Sequence, residues 1–502
     1  MPTLSIEQLI ALFILTGAAW PLVNVCVSRP FWSTFPHLGR KAIALVLAYI
    51  IFVTVIALFF RQALVPLALA AAGVLLYLGW RARPGHGQRK NLPPGSLALL
   101  PLGPWFDEQF FHKQADRYGS IFKASYFFQP MVCIVGLPVG LELLHRHDEV
   151  LGTPPLPFSR FIPGGYLRYM DPGVHRSYKR IFRGIFSPEV VRDSKIFMER
   201  DIADGLQRME EACVNHCSGK GLQPKPYINR MLFSVWVRLF TGISPDSKDA
   251  EQLQRCLQII DMRNPMRVSD TAINLALDEI TEILHRQMNA FTQREMQQSR
   301  IPSCFLAALC DSCTESKHDA TVLRNFIYLM HVTWSDVAGL LLWILKMLSD
   351  YPEWLSKVRA SAENDKLSEC IVMETLRLEQ SEHLYRRALQ DIHFNGFLIP
   401  KNWIVRICIR ESHQNPDAFS EPTRFNPDRF LDKTYRETEY LPFGAARLAC
   451  LGQFLTKTTG KIFVEVLARR YNIQITDDGP REFGSWRHWR PSTKYRVNLA
   501  RI

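Results

Sequence analysis

In the stretch Phe443-Gly444-Ala445-Ala446-Arg447-Leu448-Ala449-Cys450-Leu451-Gly452, a single cysteine stands just ahead of a predicted helix. From Gln453 to Tyr471 apolar residues recur at helical spacing, so Cys450 lies at or just before a helix N-terminus. The free N–H groups and the positive end of the helix dipole stabilise a thiolate, which is the form of cysteine that binds metals. Gly444 and Gly452 allow the backbone to turn sharply beside a bulky group.

A lone cysteine ligand points to a large planar cofactor that supplies the other donor atoms itself. Haem fits this better than zinc, which takes four protein ligands, or three and a water. A buried structural cysteine is the alternative interpretation of Cys450, because cysteine is among the residues most often found in protein cores.

The stretch resembles the haem-binding loop of the cytochrome P450 family, whose pattern is Phe-x-x-Gly-x-Arg-x-Cys-x-Gly. Phe443, Cys450 and Gly452 match this pattern. Ala446 stands where the family has glycine, and Leu448 where it has the arginine that contacts a haem propionate. Arg447 is one residue early, and on an extended segment its side chain would point the other way. The resemblance implies haem b as the cofactor, with Cys450 as the axial ligand of the iron.

Glu374-Thr375-Leu376-Arg377 lies within residues 368–378, where the apolar spacing predicts a helix with Glu374 and Arg377 on one face. A buried carboxylate and guanidinium cost several kcal/mol unless all their donors and acceptors are used, so a third partner is expected. Residues 425–430 match the family's meander, which makes Arg429 that partner. Glu421 and Arg424 have the same spacing, but Pro422 makes a helix interior improbable there. The resemblance covers about residues 92–502.

The resemblance also implies basic partners for the haem carboxylates. Residues 171–180 resemble the family's propionate-binding helix, with His175 and Lys179 one turn apart. Arg386 resembles the arginine that family members place on a strand beside the haem. Because Leu448 replaces the usual arginine, His175, Lys179, Arg386 and Arg447 are expected to carry these contacts. For each of them a solvated surface position is the alternative.

In the family, the helix that crosses the haem carries Ala-Gly-x-Asp/Glu-Thr, where the acid and the threonine organise protons for O–O cleavage. Counting back from Trp343 and Pro352 aligns this motif with residues 332–336. Ser335 then takes the place of the acid, and Asp336 that of the threonine. We expect both to be catalytic, because a carboxylate can relay a proton through water. Ordinary hydrogen-bonded polar residues are the alternative, but a carboxylate in so apolar a run is costly without a role.

Residues 152–161 are expected to roof the haem and to form an apolar substrate pocket with residues of the distal helix and of the segment after Arg377. The candidate pocket residues are Phe158, Phe161, Trp334, Val337, Ala338, Leu384 and Tyr385. For aromatic residues in a proline-rich loop, packing is the alternative. Such a pocket favours a lipophilic substrate such as a terpenoid, a polyketide-derived compound or a sterol, and a role in secondary metabolite biosynthesis.

Residues 1–80 predict a membrane anchor. Segments 9–27, 42–60 and 63–80 are apolar and close to the roughly 20 residues that span a bilayer, so up to three transmembrane helices are expected. The link Arg61-Gln62 is short, which leaves open that one segment lies in the membrane interface. Basic residues after the first and third segments place the catalytic domain on the cytosolic face of the endoplasmic reticulum membrane.

Residues 81–104 form a basic, proline-rich hinge, and residues 105–502 form the haem-thiolate catalytic domain. The 60 basic and 48 acidic residues give a net charge of +12, which suits an anionic membrane surface and an acidic redox partner. No basic run is interleaved with aromatic residues, so nucleic acid is not an expected partner. Cys304, Cys310 and Cys313 cluster without a fourth ligand at matching spacing, and no second metal site is expected.

The resemblance implies a monooxygenase that inserts one oxygen atom from O₂ into its substrate. Electrons would come from NADPH through a separate NADPH-cytochrome P450 reductase, with cytochrome b5 as a further candidate donor, because no dinucleotide-binding motif follows a predicted strand. The altered acid–threonine pair leaves two alternatives open. One is an oxygen-independent isomerase or dehydratase, or a peroxide user, on the same fold. The other is a membrane-bound haem protein that senses without turnover.

The predicted fold is mainly α with a small β-rich subdomain, as in cytochromes P450, preceded by N-terminal transmembrane helices. Helical patterns dominate from Ser187 to Leu378. The strand-like runs 394–399, 403–409 and 494–499 are few and short.

Overall fold

The computed structural model describes Gly73 and residues 91–97, 107–126, 129–154, 161–162, 165–216, 221–260, 268–297, 303–312, 319–361, 364–379, 384–483 and 489–502. Apart from Gly73, the three predicted membrane segments lie outside these residues, as do Phe158 and most of the predicted hinge. Within the described ranges, one helix is long and apolar enough to cross a bilayer, Ala320–Asp350, and most of it is buried inside the protein.

The described part of the chain is mainly helical, as the sequence predicted. The helices are α1 Phe110–Tyr118, α2 Leu137–His147, α3 Pro172–Ile185, α4 Pro188–Asp193, α5 Lys195–His216, α6 Pro224–Thr241, α7 Lys248–Ile259, α8 Asp270–Met296, α9 Phe305–Ser312, α10 Ala320–Asp350, α11 Pro352–Ala360, α12 Asn364–Leu378, α13 Ile409–Ser412 and α14 Gln453–Arg470.

The strands are short and form a small β-rich part. They are β1 Ile121–Tyr126, β2 Gln129–Ile134, β3 Leu151–Gly152, β4 Leu384–Ala388, β5 Ile392–Phe394, β6 Phe397–Ile399, β7 Ile404–Ile407, β8 Tyr471–Asp477, β9 Glu482–Phe483, β10 Trp489–Arg490 and β11 Arg496–Arg501. The largest sheet has the order β1-β2-β7-β4-β3, with β2 and β7 parallel and the other pairs antiparallel. β5–β6, β8–β11 and β9–β10 form two-stranded sheets.

The helix α10 runs through the helical core, and α6, α8, α12 and α14 pack around it. It begins after Asp319, whose carboxylate caps it by accepting from the N–H of Thr321 at 2.7 Å. It ends at Asp350, just before Tyr351 and Pro352, because proline cannot continue the backbone hydrogen-bond ladder.

The run 394–399 is a hairpin rather than one strand. Asn395 and Gly396 form the turn between β5 and β6, with φ of 48° and 78°. Asn-Gly favours this left-handed pair, which matches the twist of the flanking strands. The Asn-Gly dipeptide therefore indicates a hairpin at residues 394–399, where the sequence prediction had one strand.

A buried ion pair joins α12 to the segment 413–430, which contains the meander. Nε and Nη2 of Arg377 donate to the two oxygens of Glu374 at 2.7 and 2.8 Å, and both side chains are fully buried. Arg429 Nε and the backbone N–H of Asn426 donate to Glu374 Oε1 at 3.0 and 2.9 Å. The structure thus brings together the three residues predicted to form this network.

The remaining donors of Arg377 bind backbone carbonyls. Nη1 donates to the carbonyls of His413 and Pro422 at 2.9 and 2.7 Å, and Nη2 donates to that of Arg424 at 3.3 Å. The guanidinium therefore uses all of its donors, which is the condition under which a buried ion pair is stable.

His413 connects this network to the chain just before the cysteine loop, residues 443–452. Its Nε2 accepts from the N–H of Leu441 at 2.8 Å, and its ring stacks on Tyr440 with centroids 5.1 Å apart. Burial and then the charge of Arg377 lower the pKa of His413 to about 3. The imidazole is therefore neutral near pH 7, as an acceptor nitrogen must be.

Replacing Arg377 with methionine is expected to lower the free energy of unfolding by about 3–5 kcal/mol, because Glu374 becomes a buried carboxylate without its main partner. The measurement is urea unfolding of the holoenzyme, followed by circular dichroism. Arg424→Ala is the matched control. Arg424 lies three residues after Glu421, but this pair is exposed (65% and 69%), so the change should stay within about 1 kcal/mol. Equal losses in the two variants would contradict a structural role for the buried pair.

Candidate active site

The cysteine loop, residues 443–452, presents Cys450 ahead of α14, which begins at Gln453. The N–H of Cys450 donates to the carbonyl of Phe443 at 2.9 Å and closes the loop. Among the described cysteines Cys450 alone is exposed, while the others are buried or half-buried. A structural core cysteine, the alternative interpretation, does not fit this position.

The loop turns at Ala446, whose φ is +57°. This left-handed conformation costs an alanine about 1–2 kcal/mol and costs glycine almost nothing, and it falls where the family pattern has glycine. A short 3₁₀ turn, Ala446–Leu448, follows. The expectation of an extended segment here is therefore wrong, and the reasoning that pointed Arg447 away from the site does not apply.

Arg447 points into the protein, and its side chain is 4% exposed. Its Nη2 donates to the carbonyl of Leu151 at 3.1 Å, and its Nε lies 3.5 Å from a carboxylate oxygen of Asp148. Its Nη1 is buried and has no hydrogen-bond partner among the described residues.

The four basic residues predicted for the haem carboxylates lie together, and all are buried. His175 and Lys179 come from α3, Arg386 from β4 and Arg447 from the cysteine loop. The pKa of His175 falls to about 3, first because burial disfavours the imidazolium and then because Arg447, Lys179 and Arg386 repel it. His175 is therefore neutral near pH 7 and can act as an N–H donor.

Lys179 binds the cysteine loop directly. Its Nζ donates to the carbonyls of Arg447 and Ala449 at 2.5 and 2.9 Å. Burial, followed by Arg183, lowers the pKa of Lys179 to about 8, whereas the charge of Cys450 raises it. The ammonium therefore lies where it favours a thiolate at Cys450.

The buried basic cluster needs an anion. Lys179, Arg386 and Arg447 are cationic, and Asp148 is the carboxylate in contact with Arg447. In the described part of the chain, Nδ1 of His175 is buried without a hydrogen-bond partner. Buried charges and donors are costly unless paired, so a ligand with two carboxylates fits this cluster, and haem b has two propionates.

The middle of α10 carries a stripe of accessible residues. Asp336 is its one exposed residue between the first and the last, and Val332, Ser335 and Gly339 are half-buried. The spacing of the four puts them on one helix face. Because Asp336 is exposed, the cost of burying a carboxylate gives no reason for a function there, and its catalytic role stays a prediction.

Thr333 places α10 next to the cysteine loop, and sequence reasoning missed it. A Cβ built on Gly452 would lie 3.8 Å from both the Thr333 methyl group and Cys450 Sγ. The indole N–H of Trp236, on α6, donates to Thr333 Oγ1 at 2.9 Å, and that hydroxyl donates to the carbonyl of Leu329 at 2.7 Å. The sequence feature that could have identified Thr333 was its place within residues 332–336, the run aligned with the family motif.

The residues predicted to line the apolar pocket lie in several different environments. Trp334 turns towards α6, where its Nε1 donates to the carbonyl of Asn229 at 3.0 Å. Val337 and Ala338 are buried and do not share the spacing of the stripe. Leu384 packs on the cysteine loop, with Cδ1 3.6 Å from a Cβ built on Gly444. Tyr385 is buried beside Arg406, and Phe161 is half-buried against the helical core.

Residues 93–499 match the family model described as Cytochrome P450. The chain is 26% identical to cytochrome P450 26A1 of Xenopus laevis, over 78% of this chain and 86% of that protein. It is 23% identical to abscisic acid 8'-hydroxylase 2 of Arabidopsis thaliana (78% and 86% covered) and 24% identical to taxane 13-alpha-hydroxylase of Taxus cuspidata (80% and 89% covered).

The fold is similar to that of a retinoic acid bound cyanobacterial CYP120A1, with a TM-score of 0.63 and 20% identity, over 82% of this chain and all of that one. A zebra fish cytochrome P450 with abiraterone gives a TM-score of 0.62 and 17% identity, over 78% of this chain and 98% of that one. The family match spans most of the sequence, and the chain therefore belongs to the cytochrome P450 family, as a monooxygenase whose cofactor is haem b held by a cysteine thiolate.

Proposed function

We propose that this protein hydroxylates a lipophilic, terpenoid-like small molecule and that Cys450 is the axial ligand of its haem iron. The observation that carries the proposal is the exposed Cys450 beside a buried basic cluster. When bound, haem supplies O₂ activation and the insertion of one oxygen atom into a C–H bond. The N-terminus of α14 and the Lys179 ammonium hold Cys450 as a thiolate.

The basic cluster binds the haem propionates. Arg386 and Arg447 supply charge-assisted hydrogen bonds, and neutral His175 donates an N–H. Lys179 donates to two loop carbonyls, and its charge would also attract the anion. The Phe443 carbonyl fixes the loop through its bond to the Cys450 N–H. The charge that Leu448 fails to supply comes from Arg447, which reaches the same cluster.

Asp336, assisted by Ser335, would hold a proton and deliver it through water. Both lie on the accessible stripe of α10, where a carboxylate is open to solvent. Monooxygenation is the reaction that would use a proton relay here, whereas an isomerase or a sensor would not need one.

The relatives support the substrate class. Abscisic acid 8'-hydroxylase 2 acts on abscisic acid, and taxane 13-alpha-hydroxylase acts on a taxane. Both compounds are built from isoprene units, which favours a terpenoid over a polyketide-derived compound or a sterol. We place the reaction in secondary metabolite biosynthesis.

The partners follow from the chain's charge and from its predicted anchor. The net charge of +12 suits an acidic reductase and anionic lipid. We assign electron delivery to NADPH-cytochrome P450 reductase, with cytochrome b5 as a further donor. The catalytic domain is assigned to the cytosolic face of the endoplasmic reticulum membrane.

Cys450→Ser is expected to abolish the far red-shifted Soret band that carbon monoxide gives with the reduced holoenzyme, because a serine oxygen does not replace the thiolate. The measurement is the difference spectrum in microsomes. Cys310→Ser, which changes a half-buried cysteine elsewhere, is the control and should keep the band. If the Cys450→Ser variant gave the wild-type spectrum, Cys450 would be excluded as the ligand.

Arg386→Ala is expected to lower haem content about tenfold at limiting haem, because a charge-assisted hydrogen bond contributes about 1.5–3 kcal/mol. The readout is haem per polypeptide, measured by pyridine haemochrome assay after gel filtration. Arg180→Ala removes an exposed arginine next to Lys179 and should leave haem content unchanged. Full haem content in the Arg386 variant would remove this residue from the site.

Asp336→Ala is expected to slow product formation about 100-fold, as loss of a general acid does, while the substrate-induced spectral change stays intact. Asp336→Glu keeps the carboxylate and should recover part of the rate. Product formation must also require both O₂ and NADPH. Unaltered turnover in the alanine variant would show that Asp336 is not the proton relay, and product without O₂ would favour the isomerase alternative.

A further inference from the structure

The side chain of Arg447 is held by one segment of the chain, residues 148–152, which follows α2. The carbonyl of Leu151 accepts from Arg447 Nη2 at 3.1 Å, and Asp148 Oδ2 lies 3.5 Å from Arg447 Nε. Because a guanidinium is planar, fixing two of its nitrogens also fixes the direction of the third. The third nitrogen, Nη1, is buried, and no described residue forms a hydrogen bond with it.

Asp148 is the carboxylate that balances the charge of Arg447. Its side chain is 23% exposed, against 4% for Arg447, so the pair is largely buried. The other oxygen of Asp148, Oδ1, is buried and has no hydrogen-bond partner among the described residues. A buried guanidinium without a counter-ion is costly, and its long side chain would then turn towards water. Asp148 therefore keeps Arg447 inside the protein before an anion binds.

The segment 148–152 is itself fixed to β4, the strand that carries Arg386. It ends in β3, which pairs antiparallel with β4 and places Leu151 opposite Ala388. Leu151 is fully buried, so this pairing is part of the core. Arg386 and Arg447 come from distant parts of the chain, but the same strand pair determines where both side chains lie.

The next residue, Glu149, has different surroundings. Its carboxylate pairs with Arg176 at 2.5 Å, and the two side chains are 63% and 58% exposed. An exposed ion pair of this kind contributes little to stability, because water and salt screen it. Of these two adjacent acids, Asp148 therefore faces the buried basic cluster and Glu149 faces the solvent, which makes Glu149 a matched control.

We propose that Asp148 is a positioning residue for haem binding, which holds Arg447 so that its free Nη1 meets a haem propionate. In the family pattern an arginine at position 448 makes this contact, and Leu448 cannot make it. Asp148 thus compensates for the displacement of the arginine by one residue. The inference rests on the proposed function, in which Arg447 belongs to the propionate site, and adds the residue that orients this arginine.

The test measures how fast haem leaves the full-length holoenzyme, by its transfer to excess apomyoglobin followed by absorbance. Asp148→Ala, Arg447→Met and the double variant are compared with wild type. Asp148→Asn keeps the size of the side chain and an acceptor oxygen, and Glu149→Ala is the control. Each protein is first checked for the red-shifted carbon monoxide band, which reports a thiolate on the iron.

Arg447→Met should speed haem loss about tenfold, and Asp148→Ala about threefold to tenfold, as the loss or weakening of one charged hydrogen bond allows. Asp148→Asn should lie between wild type and Asp148→Ala, and Glu149→Ala should match wild type. The double variant should lose haem no faster than Arg447→Met, because Asp148 acts through that arginine. A merely structural defect would instead add to the effect of Arg447→Met.

Three results would overturn the proposal and leave the proposed function intact. These are an unchanged rate in Asp148→Ala, slower haem loss in that variant, and additive effects in the double variant. A wild-type rate in Arg447→Met would overturn the proposal by removing Arg447 from the propionate site. A missing carbon monoxide band in wild type would count against the proposed function itself.

Discussion

The buried ion pair between Glu374 and Arg377 is the constraint that positions two parts of the active site, the strand that carries Arg386 and the cysteine loop. After α12 ends, the chain leads into β4 and places Arg386 in the basic cluster. On the other side, Arg377 binds the carbonyl of His413, whose ring accepts from the N–H of Leu441, two residues before the cysteine loop. The hydroxyl of Tyr440 also donates to the carbonyl of Met373 on α12, at 2.8 Å. The placement of Cys450 relative to the basic cluster thus depends on a fully desolvated ion pair.

Electrostatic balance explains why the basic cluster and Cys450 belong to one site. Three buried cations with Asp148 as the contacting carboxylate are unfavourable in the protein alone, and their repulsion adds to the effect of burial in lowering the pKa of His175. A dianionic cofactor and a thiolate would together relieve this repulsion. Lys179 couples the two, because it donates to the loop carbonyls and lies close enough to Cys450 for their charges to interact. Cofactor binding and loop geometry therefore depend on each other.

Sequence reasoning found the features that local pattern or resemblance encodes. These include α14 after the cysteine, the helix that carries Glu374 and Arg377, and four basic residues that converge from three elements. It missed the features that depend on distant contacts. Thr333 meets Trp236 from a different helix, and Tyr328 meets Tyr166 across a long sequence separation. The contact of Trp334 with the carbonyl of Asn229 on α6 was likewise not predicted, because position in a motif does not tell which face of α10 meets α6.

The displaced arginine shows how the cysteine loop tolerates its departures from the family pattern. In an extended segment, a shift by one residue would turn the side chain to the opposite face. Here Ala446 adopts a left-handed conformation, and the following residues form a 3₁₀ turn, in which successive side chains are about 120° apart. A displacement by one residue therefore rotates the position of the side chain by about a third of a turn. The long side chain of Arg447 then spans the remaining distance to the cluster. The loop retains a cation in the basic cluster at the cost of about 1–2 kcal/mol of backbone strain at Ala446, which glycine would avoid.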